Sequence, residues 1–506
     1  MINTDFSNAQ EELLSVPSRI HTEQSLRTFS SWGGTQIYNT IRDSFVYNLD
    51  LRKIKADEII EKPYIIDNDD NTSVHLSRVM YRLFSDNTIK ALYESGWEGV
   101  YQTGSKIRKY YIHHIFDSMQ IIVLKDNNYL SIEYILPSFY TEQDLSLVGT
   151  NLDNVDNFWA KYIKSYNNYY LYASRNNLLY CYTNDPSLVI SFSGCNKTAA
   201  QHTAYSFVKV YQHPSNIKSM LTGYRNAAII TEYSIVEPYF DGTTSIFSTE
   251  HVFTSAIKDS CLVDTFGSEL PSSASWYVLL ENGELWVKGD NTYGQLGINS
   301  DDAYIADWVK VDRLFDQISV GYYVIRSNII SGRSVRQNTF VYGIDKETSY
   351  VYAWGASTHC YPLGIDSTSK VSIPTLILSE PVVKIQSTKM SDTNGVYPNT
   401  DWDTYITAGG ILLTRSKLCY IVGNARKPSL GDYYGGIVSP SSNNNKSVRR
   451  LLINEPIVDI YIQSNIDYTY SLPANNTWLV KALLIAESGN LYSLNSLAQY
   501  YFNRVL

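Results

Sequence analysis

Val278-Leu279-Leu280-Glu281-Asn282-Gly283-Glu284-Leu285-Trp286-Val287-Lys288-Gly289-Asp290-Asn291-Thr292-Tyr293-Gly294-Gln295-Leu296-Gly297 decides the fold. An apolar run, a polar turn built on Asn282-Gly283 and a second apolar run make a β-hairpin. Gly289 closes the second strand, where a glycine permits φ > 0 or a close backbone approach. Gly297 follows a leucine and suits a tight turn.

The phrase recurs. Leu296-Gly297, Leu363-Gly364 and Leu430-Gly431 are spaced by 67 residues each time. Each pair follows a strand-like run ending in glycine: Leu285 to Gly289, Val351 to Gly355, and Leu418 to Gly423. A fourth copy, Gly489-Asn490-Leu491-Tyr492-Ser493-Leu494, ends in Asn495 where the others carry glycine. After each Leu-Gly comes another shared phrase: Phe315 to Ile318, Pro381 to Ile385 and Pro456 to Ile460. Short strands and turns repeating at a fixed interval mean a propeller or a solenoid.

Val278 to Gly297 resembles a near-complete repeat of the regulator-of-chromosome-condensation family. Val351 to Gly364, with Pro374 and Val382 to Ile385, is similar with several losses. The resemblance implies an all-β propeller in which each repeat supplies one four-stranded blade of seven. The repeat residues on which it rests are Gly289, Gly297, Gly355, Gly364, Gly423 and Gly431. Two departures stand out. These repeats run 66 to 75 residues, against about fifty in the family. The first half also holds only echoes: Leu83 to Tyr93, Ile121 to Leu130, Tyr170 to Tyr182, and Ala228 to Tyr233. Echoes and copies together make about eight hairpins. Seven blades is the expectation, with six to eight as its bounds and a terminal strand available to close the ring.

The excess length falls at one point of each repeat, between Ile318 and Val341, Ile385 and Ile411, and Ile460 and Leu483. Insertions at equivalent points emerge on one face of a ring, commonly the binding face. They carry Tyr322, Tyr323, Tyr397, Trp402, Tyr405, Tyr468, Tyr470 and Trp478, aromatics suited to sugar stacking or a protein hot spot. Folding back over blade edges is the alternative reading. Residues 1–75 lack the pattern and are expected to form an N-terminal arm or adaptor, with residues 76–506 as the propeller. Asp67 to Asn71 makes a polar junction between them.

Composition narrows the function. The net charge is −9, which argues against a primary role on nucleic acid. The one dense basic cluster, Lys106, Arg108 and Lys109, reads as a strand end or loop. Forty-three tyrosines against 16 phenylalanines imply many half-buried rings with a wet hydroxyl. Five cysteines, Cys181, Cys195, Cys261, Cys360 and Cys419, lie far apart without a CxxC pair, as free thiols in a reducing compartment would. The polar start, Met1 to Ser15, is not a signal peptide, and no apolar run suffices to span a bilayer.

No catalytic, cofactor or metal residues emerge. His113-His114 would point to opposite faces of a strand, and His359-Cys360 is an isolated pair. No GxSxG, HExxH or GxxxxGK[ST] motif occurs. The expectation is a non-enzymatic interaction protein of a large assembly, with neighbouring subunits or a host-surface glycan as partner and neither nucleic acid nor membrane. In style and composition the chain resembles the tail-fibre, baseplate or head-decoration proteins of tailed bacteriophages, which implies a virion assembled in the host cytoplasm. The alternatives are a regulatory propeller, such as a guanine-nucleotide exchange factor, and a glycan-degrading one.

Overall fold

The computed structural model describes residues 52–54, 80–93, 96–115, 118–135, 152–163, 168–183, 207–222, 226–240, 245–264, 274–329, 332–357, 362–365, 370–389, 406–426, 448–451, 453, 455–463 and 481–495. Every regular element among them is a β-strand, and neighbouring strands pair antiparallel.

In chain order they begin with β1 (Arg52–Ile54), which belongs to the last unit. Unit 1 holds β2 (Met80–Leu83), β3 (Thr88–Tyr93) and β4 (Gly96–Gln102), and unit 2 holds β5 (Ile107–Ile115), β6 (Ser118–Lys125) and β7 (Leu130–Ile135). Unit 3 is β8 (Asn157–Ile163), β9 (Asn168–Arg175), β10 (Leu178–Thr183) and β11 (Val208–Gln212). Unit 4 is β12 (Ser219–Thr222), β13 (Ala227–Ile230), β14 (Ser234–Phe240) and β15 (Ser245–Val252).

A seven-stranded sheet follows: β16 (Ile257–Val263), β17 (Ser275–Leu280), β18 (Glu284–Asp290), β19 (Tyr304–Ile329), β20 (Gly332–Asp345), β21 (Val351–Gly355) and β22 (Val371–Leu378). It divides at Leu314–Phe315, where the pairing of β19 passes from β18 to β20. Unit 5 is therefore β16 to the first part of β19, and unit 6 the rest. Unit 7 is β23 (Val382–Ser387), β24 (Ile406–Thr414), β25 (Cys419–Arg426) and β26 (Arg449–Arg450). Unit 8 is β27 (Ile457–Gln463), β28 (Lys481–Ala486) and β29 (Leu491–Asn495), with β1 as its outermost strand.

This is a β-propeller. The described strands form eight units, one more than the seven expected and within the range of six to eight. All eight hairpins read from the sequence are present, each as the central pair of one unit. The pairing of β1 with β29 draws residues 52–54, inside the segment expected as an arm, into the last unit.

Packing between units follows from strand position. Strands A to D run from the inside of each unit outward. The B strand β17 is buried along its whole length, because a neighbouring unit covers each of its faces. Its C-strand neighbour β18 alternates buried and half-buried residues. Seven apolar clusters each join consecutive units, from Tyr81 and Ile112 between units 1 and 2 to Ile411 and Leu484 between units 7 and 8. At the eighth seam Arg82 of unit 1 lies over the ring of Tyr461 in unit 8.

Backbone hydrogen bonds repeat the same relation. At or just before the start of six A strands an amide donates to the B–C turn of the preceding unit: Val155 to Asn128 O (2.8 Å), Ile217 to Asn176 O (2.9 Å), Ile257 to Glu232 O (2.7 Å), Phe315 to Gly283 O (2.8 Å), Val382 to Ser349 O (2.8 Å) and Ile457 to Lys417 O (2.9 Å). Between units 1 and 2 the side chain of Asn87 takes that role, its Oδ1 accepting the amide of Ile107 at 2.7 Å. Seven of the eight turns hold a residue with positive φ, namely Asn87, Asn128, Asn176, Gly283, Ser349, Lys417 or Gly489. Asparagine tolerates that conformation better than most side chains, so the asparagine-rich first half builds the same turn without glycine.

Candidate interaction face

In an antiparallel four-stranded unit the A–B and C–D connections lie at one end, and the B–C and D–A connections at the other. The amide-to-turn hydrogen bonds between units therefore occupy one face of the ring, the latch face. The insertions expected from the sequence are all A–B connections, at Ile329–Gly332 in unit 6, between Ser387 and Ile406 in unit 7, and between Gln463 and Lys481 in unit 8. They leave the opposite face together.

The described part of this face is built on the Leu-Gly loops. Gly289, Gly297, Gly355, Gly364 and Gly423 all have positive φ, at 101°, 70°, 105°, 65° and 95°. Gly431 lies outside the described residues. A side chain at Gly289, Gly297, Gly355 or Gly364 would force a neighbour to shift. A Cβ on Gly289 would stand 1.9 Å from the Ala274 carbonyl oxygen, and one on Gly297 would stand 2.7 Å from Nε1 of Trp354 in the next unit. The Gln295 carbonyl, two residues earlier, accepts from Trp354 Nε1 at 2.9 Å and Tyr277 Oη at 3.0 Å. One unit on, Tyr342 Oη donates to the Pro362 carbonyl in the equivalent place. Burial raises both tyrosines well above the ordinary phenol range. Burial likewise raises the Asp290 carboxyl, which accepts from Thr292 and from Gln295 Nε2.

From this platform the β19–β20 hairpin projects. The C strand β21 stops at the Phe340–Gly355 pair, whereas β19 and β20 continue from Tyr322–Thr339 to Ile329–Gly332. Eight further residues per strand, at ~3.4 Å each, carry the tip ~27 Å past the end of β21. Unit 7 braces the base: the Tyr322 amide donates to Thr388 O at 3.1 Å, and Tyr322 bridges Lys389 in parallel.

Among the expected binding aromatics, Tyr322 is half-buried at this base and packs on the cluster between units 5 and 6. Tyr323 pairs with Asn338 in the projecting hairpin. Tyr397, Trp402, Tyr405, Tyr468, Tyr470 and Trp478 lie outside the described residues. The basic cluster is a strand end, as expected, and works as a tie. Arg108 donates to the Asn128 side chain and, at 3.1 Å, to Asp156 O, while Lys109 donates to Asn157 Oδ1 at 3.1 Å. His113 and His114 are consecutive residues of β5, and His359 and Cys360 lie outside the described residues. Among the described residues no three His, Cys, Asp or Glu groups stand together as a metal site requires, and Cys419 is a buried free thiol.

Sequence reasoning missed two groupings between units. At the seam of units 4 and 5, Lys288 pairs with Glu237 at 2.5 Å and lies over the rings of Trp276 and Trp308. His251 packs on Trp286 and Trp308 there, and burial, then the Lys288 charge, lower its pKa. At the seam of units 7 and 8, Lys384 pairs with Asp459 at 2.7 Å and lies over the Tyr461 ring. Partners so far apart in the chain leave no local signal. In each pair the partners sit on equivalent strands of neighbouring units, the C strands β14 and β18 or the A strands β23 and β27.

No family model matches the chain, and no curated protein matches it in sequence. Among solved structures it is similar to the WD40 domain of SCAP from fission yeast, at 11% identity over 90% of this chain and 96% of that one, with a TM-score of 0.42. It is similar to Sqt1 of Saccharomyces cerevisiae at 10% identity over 86% and 97%, with a TM-score of 0.40. It is also similar to human WBSCR16 at 12% identity over 58% and 67%, with a TM-score of 0.35.

Proposed function

We propose that this propeller works by binding alone, as an interaction component of a large multi-subunit assembly, and that the assembly is a bacteriophage virion. One observation carries the reading. The long connections of units 6, 7 and 8 all leave the ring at one end, and the described one is a projecting hairpin braced by its neighbour. A rigid disc with insertions on one face offers a neighbouring subunit or a host-surface glycan a preorganised surface, which lowers the ordering cost of binding. The aromatics of those insertions supply the residue types that anchor interfaces. The register of Gly289, Leu296-Gly297, Gly355 and Leu363-Gly364 supports kinship with the regulator-of-chromosome-condensation repeats, a likeness of fold that transfers no activity.

Purifying particles from a lysate of the source system and counting this chain by mass spectrometry tests the assignment. A fixed number of copies per particle is the expected result. Absence from intact particles overturns the virion setting and returns the regulatory propeller to the front.

A further inference from the structure

We infer that two copies of this chain dock face to face, the arginine-bearing hairpin of unit 6 in each reaching the acidic edge of unit 5 in the other. The inference rests on the reading of the A–B face as the working face and names its partner, a second copy.

The donor is the projecting hairpin. Residues 317–344 contain Arg326, Arg333 and Arg336 and no Asp, Glu or Lys. Register places Arg326 opposite Val335, Arg333 opposite Asn328 and Arg336 opposite Ile325, all in the part beyond β21. The whole chain carries −9, so the rest of it carries −12. A segment of +3 on such a chain is drawn to acidic surface of its own kind at low ionic strength.

The acceptor belongs to the same face. The C–D connection of unit 5 and the start of its outer strand expose Asp301, Asp302 and Asp307 around Tyr304, which is 49% exposed. Lys370 pairs with Asp301 at 2.8 Å, while Asp302 accepts from the Ser300 hydroxyl at 3.0 Å. Of the cations on the first part of that strand, Lys310 is taken by Glu284 at 3.2 Å and Arg313 by Asp345 at 2.7 Å. Carboxylates beside an exposed tyrosine ring suit guanidinium groups, which combine ion pairing with stacking.

Geometry favours a second molecule over the same one. The hairpin carries its arginines away from its own ring, whereas the acidic edge stays at the level of the platform. Because donor and acceptor share one face, two copies related by a two-fold axis satisfy both contacts at once, and the pairing closes as a dimer.

The test uses the full chain, with mass measured by light scattering after gel filtration at about 50 mM and about 500 mM NaCl. The unaltered chain should run as a dimer at low salt and weaken at least about tenfold at high salt. A triple reversal, Arg326→Glu with Arg333→Glu and Arg336→Glu, should give monomer, as should Asp301→Lys with Asp302→Lys and Asp307→Lys. An equimolar mixture of the two variants should recover the dimer, since each hairpin then faces an opposite charge. Unchanged thermal midpoints separate lost docking from lost folding, and the salt response of the unaltered chain needs no variant. A monomeric unaltered chain at low salt, a dimer surviving both reversals, or hairpin-dependent binding of oligo-dT without dimer overturns the inference. Particle incorporation by a strictly monomeric chain overturns self-docking alone and leaves the proposed function standing.

Discussion

The guanidinium carbon of Arg82 lies 5.0 Å from the ring centroid of Tyr461, although 379 positions separate the two residues in the chain. Lys384 Nζ lies 4.6 Å from the same centroid, and the Tyr461 hydroxyl donates to Asp459 at 2.8 Å. Units 7, 8 and 1 thus meet at one aromatic ring, and the first described unit is joined to the last. Coupling energies of about 0.5–2 kcal/mol are expected for such cation–π contacts when partly desolvated. A double-mutant cycle with Arg82→Met and Tyr461→Leu should return a coupling in that range by urea denaturation. Strict additivity of the two substitutions would remove the contact from the closure.

The Leu-Gly loop is expected to be intolerant of a methyl group. Gly297 has φ +70°, and its Cβ would meet Trp354 of the next unit. Gly297→Ala should cost about 1–3 kcal/mol from overpacking and the unfavourable φ together. Gly104, with nothing near its missing side chain, serves as the control and should change little. Equal effects at the two sites, measured as thermal midpoints, would contradict the packing.

Alkaline pH should loosen the ring through its buried and half-buried tyrosines. Burial, then the hydrogen bond and charge of Glu380, push Tyr420 up to about 12, and burial raises Tyr277 and Tyr342 well above 10. A raised folded pKa gives stability that is complete below the unfolded value near 10 and is lost as pH climbs through the folded value. Stability followed by circular dichroism should therefore fall between pH 10 and about 12. Tyr420→Phe should flatten the lower part of that fall, and an unchanged profile would exclude Tyr420 as a contributor.

Acid acts through the opposite sign. Burial raises the Asp345 carboxyl, but hydrogen bonds from Thr348 and Arg313 outweigh it, so the group titrates below its ordinary value. Its contribution is present above the unfolded pKa near 3.8 and is lost as pH falls through the folded value. Asp345→Asn should reduce the acid sensitivity of unit 6 while lowering stability at neutral pH, which paired pH titrations of the two proteins would reveal.

The hairpins were legible because each is a local event, with period-two apolar runs on either side of an Asn, Asp or Gly turn. Even the weak echoes at Asn87, Asn128 and Asn176 proved to be the positive-φ turns of units 1 to 3. The count of seven came from the family and not from the hairpins, which numbered eight. The site was less legible. Sequence spacing located the A–B insertions, but it did not reveal that one continues as a paired hairpin, since Tyr322 to Ile329 lacks regular alternation. Nor did it reveal the Lys384–Asp459–Tyr461–Arg82 grouping, whose members come from three units.

The A–B face as working face is tested most directly by trimming one side of the ring and altering the other. Replacing Tyr323 to Asn338 with Asn-Gly joins Tyr322 to Thr339 through a two-residue hairpin turn. Glu281→Lys with Glu347→Lys changes exposed turn residues on the opposite face. Both chains are then scored for thermal midpoint and for copies incorporated per particle. The expected result is that both fold, that the trimmed chain fails to incorporate, and that the turn variant incorporates normally. Normal incorporation of the trimmed chain, with loss in the turn variant, would place the working surface on the latch face instead.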